Sequence, residues 1–122
     1  MKILVTGSSG FYGSHLIDLL LKETDAEIYG VDNLHRLEDF TVNPFEIIQD
    51  KESLKERVTN WEMDFRDLDA KKIDETGIDC IIHLASLVSI PESMKDPMGY
   101  FELNEIGTFK LSQELLKTRN KP

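Results

Sequence analysis

The stretch VTGSSGFYGSHL, residues 5–16, constrains this chain more than any other. It runs from the end of an apolar strand, through three glycines spaced G-x-x-G-x-x-G, into an apolar helix. Gly7 lets the chain leave the strand sharply, and Gly10 keeps a side chain away from the point where a phosphate group approaches the backbone. Gly13 lets the helix pack closely on the sheet. The helix that follows offers free N–H groups and the positive end of its dipole, so an anion can be held with no basic side chain.

That backbone site matters because the chain is acidic. Its 122 residues carry 14 Lys+Arg against 23 Asp+Glu, a formal net charge of -9. Such a balance speaks against a nucleic-acid partner, which needs a basic patch, and against an anionic membrane surface. The length fits one domain, 1–122. No apolar run approaches a membrane span, and the N-terminal run is too short for a signal peptide. The single cysteine, Cys80, reads as a buried, inert thiol in a reducing, cytoplasmic protein. Three scattered histidines and one cysteine give no metal-ligand spacing.

Apolar patterning predicts strands at Lys2–Thr6, Glu27–Val31, Val58–Asp64 and Asp79–Leu84. Helices are predicted from Gly13 to about Glu23, over Asp69–Glu75 with Gly77 closing it, and from Asp96–Pro97 to about Arg119 with Gly107 as a weak point. Met98, Phe101, Phe109 and Leu116 supply an apolar face to the last of these. Tyr100, Phe101 and Phe109 read as core or as a helix–helix interface. Phe45–Arg57 is either a helix or a flap beside the second strand, and the acids from Glu38 to Glu56 read as solvated surface. Strands alternating with helices define the α/β class: a Rossmann-like three-layer fold, the first half of a doubly wound parallel sheet in strand order 3-2-1-4.

Asp32 ends the second strand, about 20 residues beyond the last loop glycine. A carboxylate there accepts both ribose hydroxyls of NAD and repels the extra phosphate of NADP. Arg36 is the dissenting residue, because a nearby arginine accommodates that phosphate.

With these residues assembled, the chain resembles the extended short-chain dehydrogenase/reductase family, and within it the NAD-dependent nucleotide-sugar epimerases and dehydratases, UDP-hexose 4-epimerases above all. The resemblance is carried by TGSSGFYG at 6–13, VDNL at 31–34, MDFRD at 63–67, HLAS at 83–86 and VSIPESMKDPMGYFELNEIGT at 88–108. It implies NAD as cofactor, with Gly7, Gly10 and Gly13 in the loop and the backbone amides of Phe11 and Tyr12 under the pyrophosphate. Asp32 and Asn33 would face the adenosine ribose, and Asp64 and Phe65 the adenine. Leu84, Ala85 and Ser86 would line the cofactor near its nicotinamide ribose, Asn104 would help organise the site, and Ser89 to Ser93 would face the sugar nucleotide. Read without the resemblance, Asp64 caps the turn before Asp67, Ser86 is a loop hydroxyl, and His83 is a hydrogen-bonded core histidine rather than a general base. Asn104 is a polar residue in mid-helix, where its propensity is poor.

The family's chemistry needs a tyrosine four residues before a lysine. Here Leu16 follows Tyr12 at that spacing, Asn33 follows Tyr29, and Asn104 follows Tyr100. No catalytic residue is therefore assigned in this chain, which reads as an N-terminal portion truncated before the catalytic half. It should bind NAD, act on a nucleotide sugar only together with that missing half, and not turn over alone. Two other readings stand beside this one: a stand-alone NAD- or adenine-nucleotide-binding module, and a structural fragment. An uncovered sheet edge or the 97–119 helix would make it a homo-oligomer.

Overall fold

A computed structural model of the chain describes residues 1–35 and 56–122. Four parallel strands, β1 (Lys2–Thr6), β2 (Glu27–Asp32), β3 (Val58–Glu62) and β4 (Cys80–His83), form one sheet in the order β3-β2-β1-β4. That is the expected order. Register follows the apolar pattern: Leu4 of β1 lies beside Tyr29 of β2 and Ile81 of β4. The predicted 45–57 helix or flap, Arg36 and the acids before Glu56 fall outside the described residues, apart from Glu56 and Arg57 themselves.

Both faces of β1 are buried, as a central parallel strand requires. On one face Ile3, Val5 and Ile28 pack with Ile17 and Leu21 of α1 (Phe11–Glu23). On the other, Leu4 and Val31 pack with Phe65, Leu68, Ile73, Ile78 and Leu111. Arg57, just before β3, pins the end of α1 by donating to the carbonyls of Leu21 and, at 2.7 Å, Thr24.

Several boundaries differ from the sequence reading for local reasons. Helix α1 begins at Phe11, two residues early, because Gly10 already serves as its N-cap in an extended conformation. Strand β3 stops at Glu62; Asp64 then caps a short 3₁₀ turn, Phe65–Asp67, by accepting from Arg66 N. Asp69 is the N-cap of α2 (Ala70–Thr76), and Gly77 closes it in the left-handed region at φ 73°. The Ser89–Ser93 stretch, assigned no element from the sequence, opens α3 (Ile90–Lys95), capped by Ser89. The long helix is three pieces: α4 (Pro97–Phe101), a π-helical segment (Glu102–Gly107) and α5 (Thr108–Lys117).

Two burial expectations fail. Cys80 is only half-buried, on β4, an outer strand with no strand paired beyond it among the described residues. Met98, Phe101, Phe109 and Leu116 do form an apolar face, but it is exposed. The residues turned to the core are instead Leu103, Gly107, Leu111, Leu115 and Thr118. Phe101 and Phe109 are therefore not core, and Tyr100 is half-buried with its hydroxyl donating to Glu92 at 2.9 Å. No helix among the described residues is long and apolar enough to cross a membrane.

Candidate functional site

The site is built at the carboxyl ends of β1, β2 and β4. Gly7 leaves β1 at φ 69°, which turns the loop back so that its N–H donates to Val31 O at 2.8 Å. A β-carbon at Gly7 would stand 2.8 Å from Ala85 N. The loop closes with Gly10 N donating to Gly7 O, and α1 starts at once. Gly13 sits against the loop's own backbone rather than against the sheet: a β-carbon there would lie 2.1 Å from Gly7 O and 2.9 Å from Ser8 Cα. This corrects the sequence reading of Gly13 while keeping its consequence, a helix start held tight to the loop. Gly10 carries no capping side chain, so the first N–H groups of α1 stay available to an anion.

These residues open onto a single cavity of about 490 Å³. Gly7, Gly10, Phe11, Tyr12 and Gly13 line one wall. Asp32 and Asn33 line the next, Asp64 and Phe65 a third, and Leu84, Ala85 and Ser86 the last. Twelve positions that lie far apart in sequence thus converge. The thirteenth, Asn104, does not line the cavity. Its amide instead grips Leu87, accepting from Leu87 N and donating to Leu87 O, both at 2.9 Å, and Leu87 is a lining residue. The π-helical segment carries Asn104, and this grip holds the 84–88 wall in place. Sequence reasoning also missed Ser9, Leu34, Met63 and Leu87 as lining residues. Adjacency to the loop glycines and to Asp32 was the available signal for the first two.

Asp32 is the electrostatic centre. Its Oδ2 accepts from Ser9 N and its Oδ1 from Leu34 N, each at 2.9 Å. The carboxylate therefore ties the tip of the glycine loop to the turn after β2, and each oxygen keeps a lone pair for a ligand. Asp64 faces the cavity from the other side of β2. Arg66 donates to it through its backbone N–H and its Nε at 2.9 Å and its Nη2 at 2.6 Å. The Arg66 side-chain hydrogen bond, foremost, holds the Asp64 carboxyl below the usual range. Asp64 thus caps its turn, as one sequence reading has it, and also lines the cavity.

A hydrogen-bonded hub lies beneath the 84–88 wall. Thr6 Oγ1 accepts from the backbone N–H groups of Leu84 and Ala85 at 3.2 Å. With those lone pairs engaged, its hydroxyl donates to His83 Nδ1 at 2.6 Å. The network thereby assigns the proton of the neutral ring to Nε2, which donates to Thr108 Oγ1 at 3.0 Å. Thr108 passes its own proton to Asn104 O at 2.6 Å. Phe65 packs on the imidazole, with ring centroids 4.7 Å apart. His83 is thus a hydrogen-bonded structural histidine with both nitrogens in use.

Burial pushes the His83 pKa below its ordinary 6.5. The folded chain then binds fewer protons than the unfolded chain, so this contribution to stability is complete above about pH 6.5 and falls away as the pH drops through the unfolded value toward the folded one. Urea midpoints at about pH 7.5 and about pH 5.5 should therefore differ more for the natural chain than for His83→Gln. Equal losses in the two chains would remove His83 from the account.

Ser9 Oγ is the buried side-chain oxygen or nitrogen that lacks a hydrogen-bond partner among the described residues. A buried hydroxyl in that state costs about 1–3 kcal/mol.

A glycine loop, a helix N-terminus and a strand-end carboxylate around one cavity, at the carboxyl ends of parallel strands in the order 3-2-1-4, define a Rossmann-like fold. The family described as GDP-mannose 4,6 dehydratase matches residues 4–121, and the chain belongs to this family of NAD-dependent nucleotide-sugar epimerases and dehydratases. It is 32% identical over 118 residues to the UDP-glucose 4-epimerase of Neisseria meningitidis serogroup B, covering 95% of this chain and 33% of that protein. The UDP-glucuronic acid 4-epimerase of Bacillus cereus, solved in complex with UDP-glucuronic acid and NAD, superposes with a TM-score of 0.78 at 28% identity, covering 98% of this chain and 37% of that one. The UDP-glucose 4-epimerase of Stenotrophomonas maltophila, solved with bound NAD and formylated UDP-arabinopyranose, gives 0.79 at 29% identity, with 95% and 33% covered. The chain spans about a third of the length of the curated relatives it matches.

Proposed function

We propose that this chain, residues 1–122 as one domain, is the NAD-binding portion of a nucleotide-sugar 4-epimerase or dehydratase. The observation that carries the reading is Asp32, placed at the end of β2 and tied to the loop through Ser9 N. In this reading the N–H groups of Phe11 and Tyr12 take the pyrophosphate, and Asp32 with Asn33 takes the adenosine ribose. Asp64 and Phe65 flank the adenine, and Leu84, Ala85 and Ser86 lie along the nicotinamide end. Asn104 acts through Leu87. The Ser89 to Ser93 stretch, at the open end of the 84–88 wall, faces the sugar nucleotide.

The proton-transfer groups are absent from this sequence, since no tyrosine has a lysine four residues on. Catalysis therefore requires residues outside these 122. The purified chain with NAD+ and UDP-glucose should give no epimerised product by chromatography, and turnover by the chain alone would contradict the reading. The lone Cys80 thiol fits a reducing, cytoplasmic setting.

A second reading, self-association, has its own support. The outer edge of β4 pairs with no further strand among the described residues, and Met98, Phe101, Phe109 and Leu116, later in the chain, are exposed. Such edges and faces recruit a partner, either the remainder of an epimerase or a second copy. Sedimentation of the chain alone should show a dimer or larger species. A clean monomer at high concentration would exclude the second copy.

A further inference from the structure

The Thr6 hydroxyl joins the sheet to one wall of the cavity. Its oxygen accepts from Leu84 N and Ala85 N at 3.2 Å, and its proton goes to His83 Nδ1 at 2.6 Å. A hydroxyl has two lone pairs and one proton, so this set is complete. Thr6 is fully buried, and bulk water offers it no substitute partner. A second proton on the imidazole would set an N–H against the Thr6 O–H, donor against donor. Thr6 Oγ1 would then accept from the ring only by releasing Leu84 N or Ala85 N, and its own proton would lose its acceptor. Leu84 and Ala85 line the cavity and pack against the glycine loop: a β-carbon at Gly7 would stand 2.8 Å from Ala85 N and 2.9 Å from Leu84 C. One proton on His83 is therefore felt at the wall, although His83 itself does not line the cavity.

We propose that His83 is a positioning residue for the dinucleotide: only its neutral ring lets Thr6 hold Leu84 and Ala85 in place, and protonation of the ring loosens that wall and weakens binding. This rests on the NAD reading above and adds a condition to it, a fixed charge state at a group that lies behind the wall. The groups against the ring are uncharged: Thr6 from β1, Thr108 from α5 and Phe65 from the 3₁₀ turn. Of the charged side chains nearest to these in the chain, Arg66 pairs with Asp64, and Asp67, Glu102, Glu105 and Lys110 are exposed. Burial keeps the ring neutral to a lower pH than an ordinary histidine. The sign of the effect separates His83 from the other histidines. His35 lines the cavity, and His15 Nδ1 donates to Phe11 O at the start of α1. Positive charge on either favours an anionic dinucleotide, whereas charge on His83 opposes it.

The test is NAD+ affinity by calorimetry at about pH 7.5 and about pH 5, in the natural chain and in His83→Gln. Glutamine offers one acceptor and one donor group and never charges in this range. On going to the lower pH, the natural chain should lose about threefold to tenfold in affinity relative to the variant, the worth of one hydrogen bond. The same pH dependence in both chains would overturn the proposal. A second readout needs no variant. Nuclear magnetic resonance titration of the imidazoles in the natural chain, free and saturated with NAD+, should show His83 taking up its proton at lower pH in the complex, because the coupling is reciprocal. The same midpoint in both states, or a higher one in the complex, would also overturn it. A natural chain that binds no NAD+ at about pH 7.5 would sink the cofactor reading and this proposal with it, a result distinct from binding that ignores the charge on His83.

Discussion

Gly13→Ala should lower the melting temperature on the order of 10 °C and abolish NAD+ binding. The added β-carbon would stand 2.1 Å from Gly7 O, 2.9 Å from Gly7 C and 2.9 Å from Ser8 Cα. All three are backbone atoms, so no side-chain rotation relieves the clash. Relief requires α1 to move off the loop or Gly7 to give up its φ of 69°, and Gly7 is itself packed against Ala85. Overpacking of this kind costs about 3 kcal/mol or more. The loss reaches function directly, because the same displacement moves the first N–H groups of α1 away from the cavity. Thermal denaturation followed by circular dichroism reads the first effect and calorimetry the second. A Gly13→Ala chain that melts with the natural one would show that the close approach of α1 to the loop is not real.

Asp32→Ala should cost about 100-fold or more in NAD+ affinity, because hydrogen bonds to a charged group contribute about 1.5–3 kcal/mol each. Two ligand hydroxyls lose their acceptor. The loop also loses its tie, since Ser9 N and Leu34 N are left without the carboxylate. The preference for NAD+ over NADP+ should narrow at the same time, because the negative charge that repels a 2′-phosphate is gone. Stability should fall less than in Gly13→Ala, since no backbone atoms are forced together. Titrations with both dinucleotides check this. An unchanged NAD+ affinity would remove Asp32 from the site.

The glycine loop, the strand order and Asp32 were legible because each follows from a local rule. Glycines at a strand-to-helix turn, apolar runs of strand length and an acid at a strand end need little knowledge of the rest of the fold. Helix α3 was legible too but was passed over: Ser89 and Glu92 have capping-box spacing, and Pro91 sits in the first turn. The apolar face of the last helix was legible, but Phe101 and Phe109, read as core or a helix–helix interface, lie exposed on it. The helix is apolar on two sides, and the π-helical segment inserts a residue that periodicity at 3.6 does not anticipate. Cys80 lies in an apolar run that sequence alone reads as buried, whereas its exposure depends on whether another strand covers β4. Asn104 was recognised as a polar oddity in mid-helix. Its partner, the backbone of Leu87, is a tertiary contact that no spacing reveals.

The most direct test of the central claim is calorimetric titration of the natural chain with NAD+ and, in parallel, with NADP+. Saturable one-to-one binding of NAD+, with NADP+ bound far more weakly, is the predicted result. No heat with NAD+, or equal affinity for the two, would contradict a site organised around the Asp32 carboxylate.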